Sequence, residues 1–213
     1  MNKKNAFVIT VIIPAYNCDK FIERCISNQS KGVQKAMVDK PEIIETQRFE
    51  DFRGWFSVPV DRSIDFHVVQ INQGFSRKAG TLRGLHFQEG EHAQAKLVSC
   101  LHGSIFNVAV DLRPGETYGH AYSAVLSFEN QKQMLIPRGF AHGFLVLSDS
   151  AEFCYKCDDV YHPGDEDGLM WNDPTIGIEW PALDGDGLFD ESQLVLSDKD
   201  RRHPPLSALR NSK

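Results

Sequence analysis

An arginine and a histidine lie three residues apart in the apolar segment 81–88, which reads TLRGLHFQ. A histidine transfers protons near neutral pH, and an arginine binds anionic groups. In a regular β-strand, Arg83 and His86 would point to opposite faces because their positions differ in parity. Both can serve one pocket only if the chain bends at Gly84. The alternative is a purely structural role for His86, and residues in other segments must distinguish the two roles.

Further ionisable side chains stand in strand-like segments where a core would favour hydrophobic ones. Burying them costs free energy unless a partner or a ligand satisfies them. Inversion of a carbon beside a carbonyl needs four groups. A histidine removes the proton and a carboxylate orients that histidine, while a cation stabilises the enolate and a tyrosine returns a proton. Candidates for these roles are His86, an aspartate of the C-terminal tail, Lys96 and Tyr155; other such positions are Asp111, His142 and Lys156.

A metal centre and covalent catalysis are the alternatives to this acid–base chemistry. Jelly-roll metal sites commonly use two closely spaced histidines, a carboxylate and a later histidine, but the sequence has no His-x-His pair, and Gln88 follows His86 by two positions. Cys154 and Cys157 form a single Cys-x-x-Cys, which without a second pair indicates packing. No Gly-x-Ser-x-Gly nucleophile motif occurs. We expect no metal and no cofactor.

Short β-strands are the elements that would position these residues. Their regular spacing indicates an all-β antiparallel sandwich or jelly roll. Beyond Pro163, the pattern predicts irregular wrapping with short helical turns. The predicted strands are 42–48, 55–60, 65–72, 80–87, 95–101, 103–111, 120–127, 133–136, 142–148 and 151–160.

Length and charge limit the classes of partner. A chain of 213 residues fits one main domain, and a net charge of −6 gives no general attraction to nucleic acid or anionic membranes. The apolar run from Phe7 to Ala15 is too short to span a bilayer. We therefore expect a cytoplasmic protein with no nucleic-acid or membrane partner.

The sequence pattern of the first 34 residues differs from the strand-rich pattern of the rest of the chain. Segments 11–17 (VIIPAYN) and 21–27 (FIERCIS) predict a strand and a helix and resemble the opening of family 2 glycosyltransferases. The remainder of such a domain is not found downstream. We therefore interpret residues 1–34 as a non-functional appendage and residues 35–213 as the main domain.

Several motifs of the main domain occur in an order typical of one family. They are 81–88, 95–98 (AKLV), 108–113 (VAVDLR), 136–144 (IPRGFAHGF), 152–156 (EFCYK), 171–174 (WNDP), 177–181 (GIEWP) and 196–200 (LSDKD). Over about residues 38–205 the chain resembles the dTDP-4-dehydrorhamnose 3,5-epimerase family of metal-independent cupins. The resemblance implies a cupin-type jelly roll, a homodimer and a nucleotide-sugar substrate, inverted at C3 and/or C5 beside a C4 ketone.

The resemblance also implies roles for individual residues. It makes His86 the base, Asp200 its orienting partner, Lys96 the cation that stabilises the enolate and Tyr155 the proton donor. Segment 51–56 (DFRGWF) resembles the family's Asp-x-Arg-Gly-x-Phe. The implied substrate-binding residues are Arg83, His142, Arg53, Phe56, Gln70, Asn72 and Tyr161.

Two departures from the family pattern leave the substrate open. The lead-in to the histidine strand, 72–78 (NQGFSRK), is longer than the usual Asn-x-Ser-x-Ser, and Val58 stands where many members have glutamate. The nucleotide, the sugar and the number of inverted carbons stay undecided. The alternatives are a 3-monoepimerase or ketoisomerase on a related nucleotide sugar, a catalytically silent sugar-nucleotide-binding module and a metal-dependent cupin enzyme.

Overall fold

The structure, a computed structural model, describes residues 38–60, 64–183 and 187–210. The predicted appendage, residues 1–34, lies outside the described residues, and its interpretation stays a prediction. No helix in the described ranges is long and apolar enough to cross a membrane.

The described chain is built mainly from short β-strands, with 3-10 turns at Gly90–His92, Glu191–Gln193 and Asp200–Arg202 and one helix, α1 (Leu206–Arg210). The strands are β1 (Glu42–Glu45), β2 (Arg48–Asp51), β3 (Gly54–Ser57), β4 (Gln70–Ser76), β5 (Leu82–Gln88), β6 (Lys96–His102), β7 (Ser104–Asp111), β8 (Ala121–Ser127), β9 (Lys132–Ile136), β10 (Phe140–Val146), β11 (Ala151–Cys157) and β12 (Glu166–Gly168).

Two five-stranded antiparallel sheets form the body of the domain. Sheet 1 has the order β1-β9-β6-β11-β4, and sheet 2 has the order β12-β5-β10-β7-β8. The strands β2 and β3 form a separate hairpin. Successive strands often change sheets, which is the connectivity of a jelly roll. The predicted all-β antiparallel jelly roll is therefore confirmed.

The core has two layers because sheet 2 is covered on both faces. Between the sheets, Val98 and Phe153 of sheet 1 pack in one cluster with Ile105 and Phe144 of sheet 2. Every residue of β10 is buried. On the outer face of sheet 2, a second cluster joins strand residues to the C-terminal tail; it includes Leu82, Leu85, Trp171, Trp180 and Leu206. The tail thus wraps the sheet with short helical turns, as predicted.

The bounds of the observed strands differ from the predicted ones by up to five residues, and two of the predicted strands differ most. The segment 42–48 is divided between β1 and β2, and the predicted strand 65–72 lies at Gln70–Ser76 instead. β4 is an edge strand that exposes Ile71 and Phe75 outward. The ring of Phe153 leaves room only for a glycine at position 74 of this strand, because a Cβ there would lie 2.4 Å from that ring. A local pattern does not reveal such a tertiary contact.

Candidate active site

A bulge in β5 brings the opening pair of residues to the same face. His86 lies opposite His142 of β10, whereas Arg83 lies opposite Phe144. Between these two pairs, two residues of β5 therefore lie opposite one residue of β10, and Gly84 has a φ of +116° at this irregularity. Because directly opposite residues share a face, Arg83 and His86 both point toward the space between the sheets. The predicted bend at Gly84 is confirmed.

Sheet 1 contributes four further candidates to the same inter-sheet space. Tyr155 of β11 lies opposite both Asn72 of β4 and Val98 of β6. Val98 belongs to the core between the sheets, so its row faces inward. Gln70 and Lys96 lie two positions from Asn72 and Val98 along their strands and so share this face. The jelly roll thus brings together candidates from five strands.

The shortest contact in this group joins His86 to Asp200. The Nε2 of His86 lies 2.6 Å from Oδ1 of Asp200, and the hydroxyl of Ser197 donates to Oδ2 at 2.7 Å. Burial raises the pKa of Asp200, but the hydrogen bonds from His86 and Ser197 outweigh it and lower the pKa to about 2. An ionised Asp200 orients Nε2–H of His86 toward itself, and the basic lone pair of the neutral ring then lies on Nδ1.

His142 has a neutral neighbour instead of a carboxylate. Its Nε2 lies 2.9 Å from Oδ1 of Asn107, whose amide nitrogen lies 3.3 Å from Sδ of Met134. Burial, together with the positive charge of Lys96 and the charge that His86 carries when it is protonated, lowers the pKa of His142 well below its usual value. His142 is therefore a neutral ring that can donate or accept hydrogen bonds but does not carry charge.

Lys96 and Tyr155 lie together on the wall formed by sheet 1. The Nζ of Lys96 is 5.8 Å from the ring centroid of Tyr155, and the ring centroids of Tyr155 and His142 are 6.3 Å apart. Burial lowers the pKa of Lys96 and raises the pKa of Tyr155. Within the described ranges, no carboxylate forms an ion pair with Lys96. This arrangement suits a cation for a developing anion beside a protonated phenol.

Tyr161 is joined to the pocket through hydrogen bonds. Its backbone N–H donates to Oε1 of Gln70 at 2.9 Å, and the amide of Gln70 donates to Oδ1 of Asn72 at 2.8 Å. Its hydroxyl donates to Glu166 at 2.8 Å, and Lys199 donates to the same carboxylate at 2.5 Å. These contacts connect the loop after β11 to the segment that carries Asp200.

Arg53 and Phe56 are the predicted site residues that the single chain does not bring to this wall. They lie in the β2–β3 hairpin, where Arg53 pairs with Asp51 at 2.5 Å. The Arg53 side chain is 74% exposed and Phe56 is 65% exposed. Their assignment to the pocket stays a prediction.

Several polar residues of the site were not predicted as site residues, although Ser197 and Lys199 lie within the motif 196–200. One is His203, whose ring packs edge-on against His86 with centroids 5.3 Å apart. Its buried Nε2 forms no hydrogen bond with the described residues and lies 3.5 Å from Oδ1 of Asp200. The ligand atoms of His86, Asp200 and His203 lie within 4.8 Å of one another, close enough to hold an ion. The other missed residues are Asn107, Glu166, Ser197 and Lys199.

A sequence profile described as dTDP-4-dehydrorhamnose 3,5-epimerase matches residues 35–208. The chain belongs to the dTDP-4-dehydrorhamnose 3,5-epimerase family. A curated relative of that name from Escherichia coli K12 is 47% identical over 179 residues, covering 80% of this chain and 92% of the relative. The family assignment makes the protein an isomerase and agrees with the jelly-roll fold.

Solved structures of this epimerase family show the same architecture. The dTDP-6-deoxy-D-glucose-3,5-epimerase of Legionella pneumophila, in complex with dTDP-4-keto-L-rhamnose, is 40% identical with a TM-score of 0.73, covering 83% of this chain and 93% of that one. A 3'-monoepimerase of Streptomyces bikiniensis, in complex with dTDP-quinovose, is 28% identical with a TM-score of 0.72, covering 83% and 89%.

Proposed function

We propose that the protein inverts C3 and/or C5 of a nucleotide-linked 4-keto-6-deoxy sugar, in a reaction of the dTDP-4-dehydro-6-deoxyglucose to dTDP-4-dehydrorhamnose type. The observation that carries the proposal is the 2.6 Å contact between His86 and Asp200 on a wall shared with Arg83 and His142. A histidine held by an ionised carboxylate is a competent general base near neutral pH.

In this proposal, the C4 ketone makes the protons at C3 and C5 acidic. His86 takes a proton through Nδ1, the C–H electron pair enters the enolate, and Asp200 stabilises the imidazolium. The ammonium of Lys96 stabilises the enolate oxygen. Tyr155, on the opposite sheet, breaks its O–H bond to deliver a proton to the other face of the carbon. The tyrosinate then regains a proton from solvent, and the imidazolium of His86 releases its proton to solvent.

The remaining inward-facing side chains would hold the substrate. The guanidinium of Arg83, whose Nε lies 3.2 Å from the hydroxyl of Ser76, can bind a diphosphate oxygen, and neutral His142 can hydrogen-bond a sugar oxygen. Gln70, Asn72 and Tyr161 form one hydrogen-bonded unit that would contact the ligand from sheet 1. The relatives that bind dTDP-linked sugars support dTDP as the nucleotide.

We also propose that two copies of the chain form a homodimer. The edge strand β4 exposes Ile71 (62%) and Phe75 (53%), and the hairpin exposes Phe56 (65%). Exposed apolar side chains on an edge strand such as β4 are typical of an interface. In the proposed dimer, the partner's hairpin would reach the pocket residues Gln70 and Asn72 of this strand. This arrangement would explain why Arg53 and Phe56 resemble pocket residues yet lie outside the pocket of one chain.

Hydrogen exchange into the sugar tests the proposed reaction. dTDP-4-keto-6-deoxyglucose is incubated with the protein in deuterated buffer, and deuterium at C3 and C5 is followed by NMR. We expect exchange at one or both carbons, and a loss of about two to four powers of ten in rate for His86→Ala. His102→Ala, which changes an exposed histidine, serves as the matched control.

The same experiment distinguishes the alternatives. Exchange at C3 alone would indicate a monoepimerase. Tight binding of the nucleotide sugar without exchange would indicate a binding module, and undiminished exchange in His86→Ala would contradict the assignment of the base.

A further inference from the structure

A second cluster of ion-binding side chains lies outside the residues assigned to catalysis. The rings of His92 and His162 stack with centroids 3.4 Å apart and planes 10° apart. The Nε2 of His92 lies 3.9 Å from Oδ2 of Asp165. Each of the three residues offers one ligand atom, and these atoms lie within 4.8 Å of one another. The proposed reaction uses none of these residues.

A buried glutamine fixes the two histidines relative to each other. The amide nitrogen of Gln88 donates to the carbonyl oxygen of His92 at 2.7 Å, and its Oε1 accepts from the backbone N–H of His162 at 2.7 Å. Gln88 is 6% exposed and belongs to β5. Both histidine backbones are therefore tied to the same strand, although they come from loops far apart in sequence.

Backbone hydrogen bonds hold the third residue in the same frame. The N–H of Asp165 donates to the carbonyl of His162 at 3.1 Å, and the N–H of Glu89 donates to the carbonyl of Asp165 at 3.0 Å. The cluster is thus braced before any ion binds, which reduces the entropy that binding must overcome. Its side chains also stay accessible, because that of His92 is 30% exposed and that of Asp165 is 42% exposed.

We propose that His92, His162 and Asp165 form a binding site for a divalent first-row transition ion such as Zn²⁺. Two imidazole nitrogens and a carboxylate oxygen are a donor set that these ions bind. Tetrahedral ligands about 2.0–2.2 Å from Zn²⁺ lie about 3.3 Å apart, so binding requires the stacked rings of His92 and His162 to tilt until both in-plane nitrogen lone pairs point at one ion. Glu91, whose Oε1 lies 3.9 Å from Nε2 of His92, or water would complete the coordination.

The position of the site gives it a stabilising role. Asp165 precedes Glu166, the residue that accepts hydrogen bonds from Tyr161 and Lys199 beside the pocket. An ion bound to Asp165 and to both histidines would tie this loop to the turn that follows β5. We therefore expect the ion to stabilise the folded protein without taking part in proton transfer.

Zinc titration of the tag-free, metal-stripped protein tests the site. Isothermal titration calorimetry with ZnCl₂ is expected to show binding that His92→Ala and His162→Ala each weaken at least about tenfold, because each removes one ligand. Zn²⁺ should also raise the melting temperature of the wild type but not of these variants. His102→Ala, at an exposed position, should bind like the wild type.

Two results would overturn the proposal. The first is wild-type protein that does not bind Zn²⁺, or that binds it equally well in both histidine variants. The second is binding lost in His203→Ala but kept in His92→Ala, which would place the ion beside Asp200. Circular dichroism and the melting temperature of each metal-free variant show whether it is folded, and Asp165→Asn provides an independent ligand deletion if a histidine variant does not fold.

Discussion

Two histidines that lie opposite each other in sheet 2 have neighbours of different charge. His86 is paired with the carboxylate of Asp200, whereas His142 is paired with the amide of Asn107. The carboxylate stabilises an imidazolium as it forms, whereas the amide offers no charge compensation to a buried ring. This difference supports the proposed roles of His86 in proton transfer and of His142 in neutral hydrogen bonding.

The substitution Asn107→Asp tests the effect of this neutral neighbour. A carboxylate 2.9 Å from Nε2 should raise the pKa of His142, because it favours the protonated ring. The pKa is measured by NMR titration of the histidine ring resonances. Asn130→Asp, at an exposed turn, should leave the value unchanged. An unshifted His142 in Asn107→Asp would show that burial alone keeps the ring neutral.

The substitution Asp200→Asn tests the orientation of the base. The amide keeps the shape of the side chain but removes the charge that stabilises the imidazolium of His86. We expect the exchange rate to fall by about two to four powers of ten with little change in KM, because the lost interaction acts mainly in the transition state. A large rise in KM with unchanged kcat would instead assign Asp200 to substrate binding.

At the scale of elements, β5 carries the feature that forms the site. Its bulge places Arg83 and His86 on one face, and it requires close approach of two backbones. A Cβ at Gly84 would lie 2.7 Å from Cα of Gly143 and 2.8 Å from the carbonyl oxygen of His142. Backbone atoms cannot move aside as a flexible side chain can.

We therefore expect Gly84→Ala to lower the free energy of unfolding by about 3 kcal/mol or more, from strain at positive φ and from the backbone clash. Urea denaturation measures this loss. Gly115→Ala is the matched control, since Gly115 also has a positive φ of +154° but no atom within 4 Å of a Cβ. Equal losses in the two variants would show that close packing at Gly84 contributes nothing.

At the scale of the whole molecule, the site makes folding sensitive to acid. Burial lowers the pKa of His142 and keeps its ring neutral. As the pH falls below 6.5, the usual pKa of histidine, this residue becomes protonated in the unfolded chain but not in the folded chain, so folding loses stability. Asp200 is held ionised, so its stabilising contribution is present above its usual value of 3.8 and is lost as the pH falls toward about 2.

We predict that the free energy of unfolding declines as the pH falls from 6.5, and that His142→Gln reduces this decline. Asp200 adds a second loss, of about 2 kcal/mol, between pH 4 and pH 2. Urea denaturation at a series of pH values measures both effects. A decline of the same slope in His142→Gln would show that other groups cause the first loss.

The proposed homodimer also belongs to the whole molecule. Ile71→Lys and Phe75→Lys place charges on the exposed edge strand, where they should not affect the fold of one chain. We expect the double variant to be a monomer by light scattering and, if the partner's hairpin completes the pocket, to lose activity. An unchanged mass would show that β4 does not form the interface. Val125→Lys, on an exposed position of sheet 2, is the control.

The amino-acid sequence by itself determined the fold class and most of the candidate site. The alternation of short strands and turns predicts the jelly roll. Family motifs identify residues such as His86, Lys96 and Tyr155, because the residue types and their order along the chain can be recognised without a structure. The family match of residues 35–208 agrees with that reading.

Only the tertiary structure decided how these residues meet. The register shift at Gly84, the amide of Asn107 beside His142 and the closeness of His203 to Asp200 depend on contacts between distant segments. The stacked pair of His92 and His162 arises for the same reason. Neither local propensity nor spacing contains these distances, because packing of the two sheets and the tail fixes them.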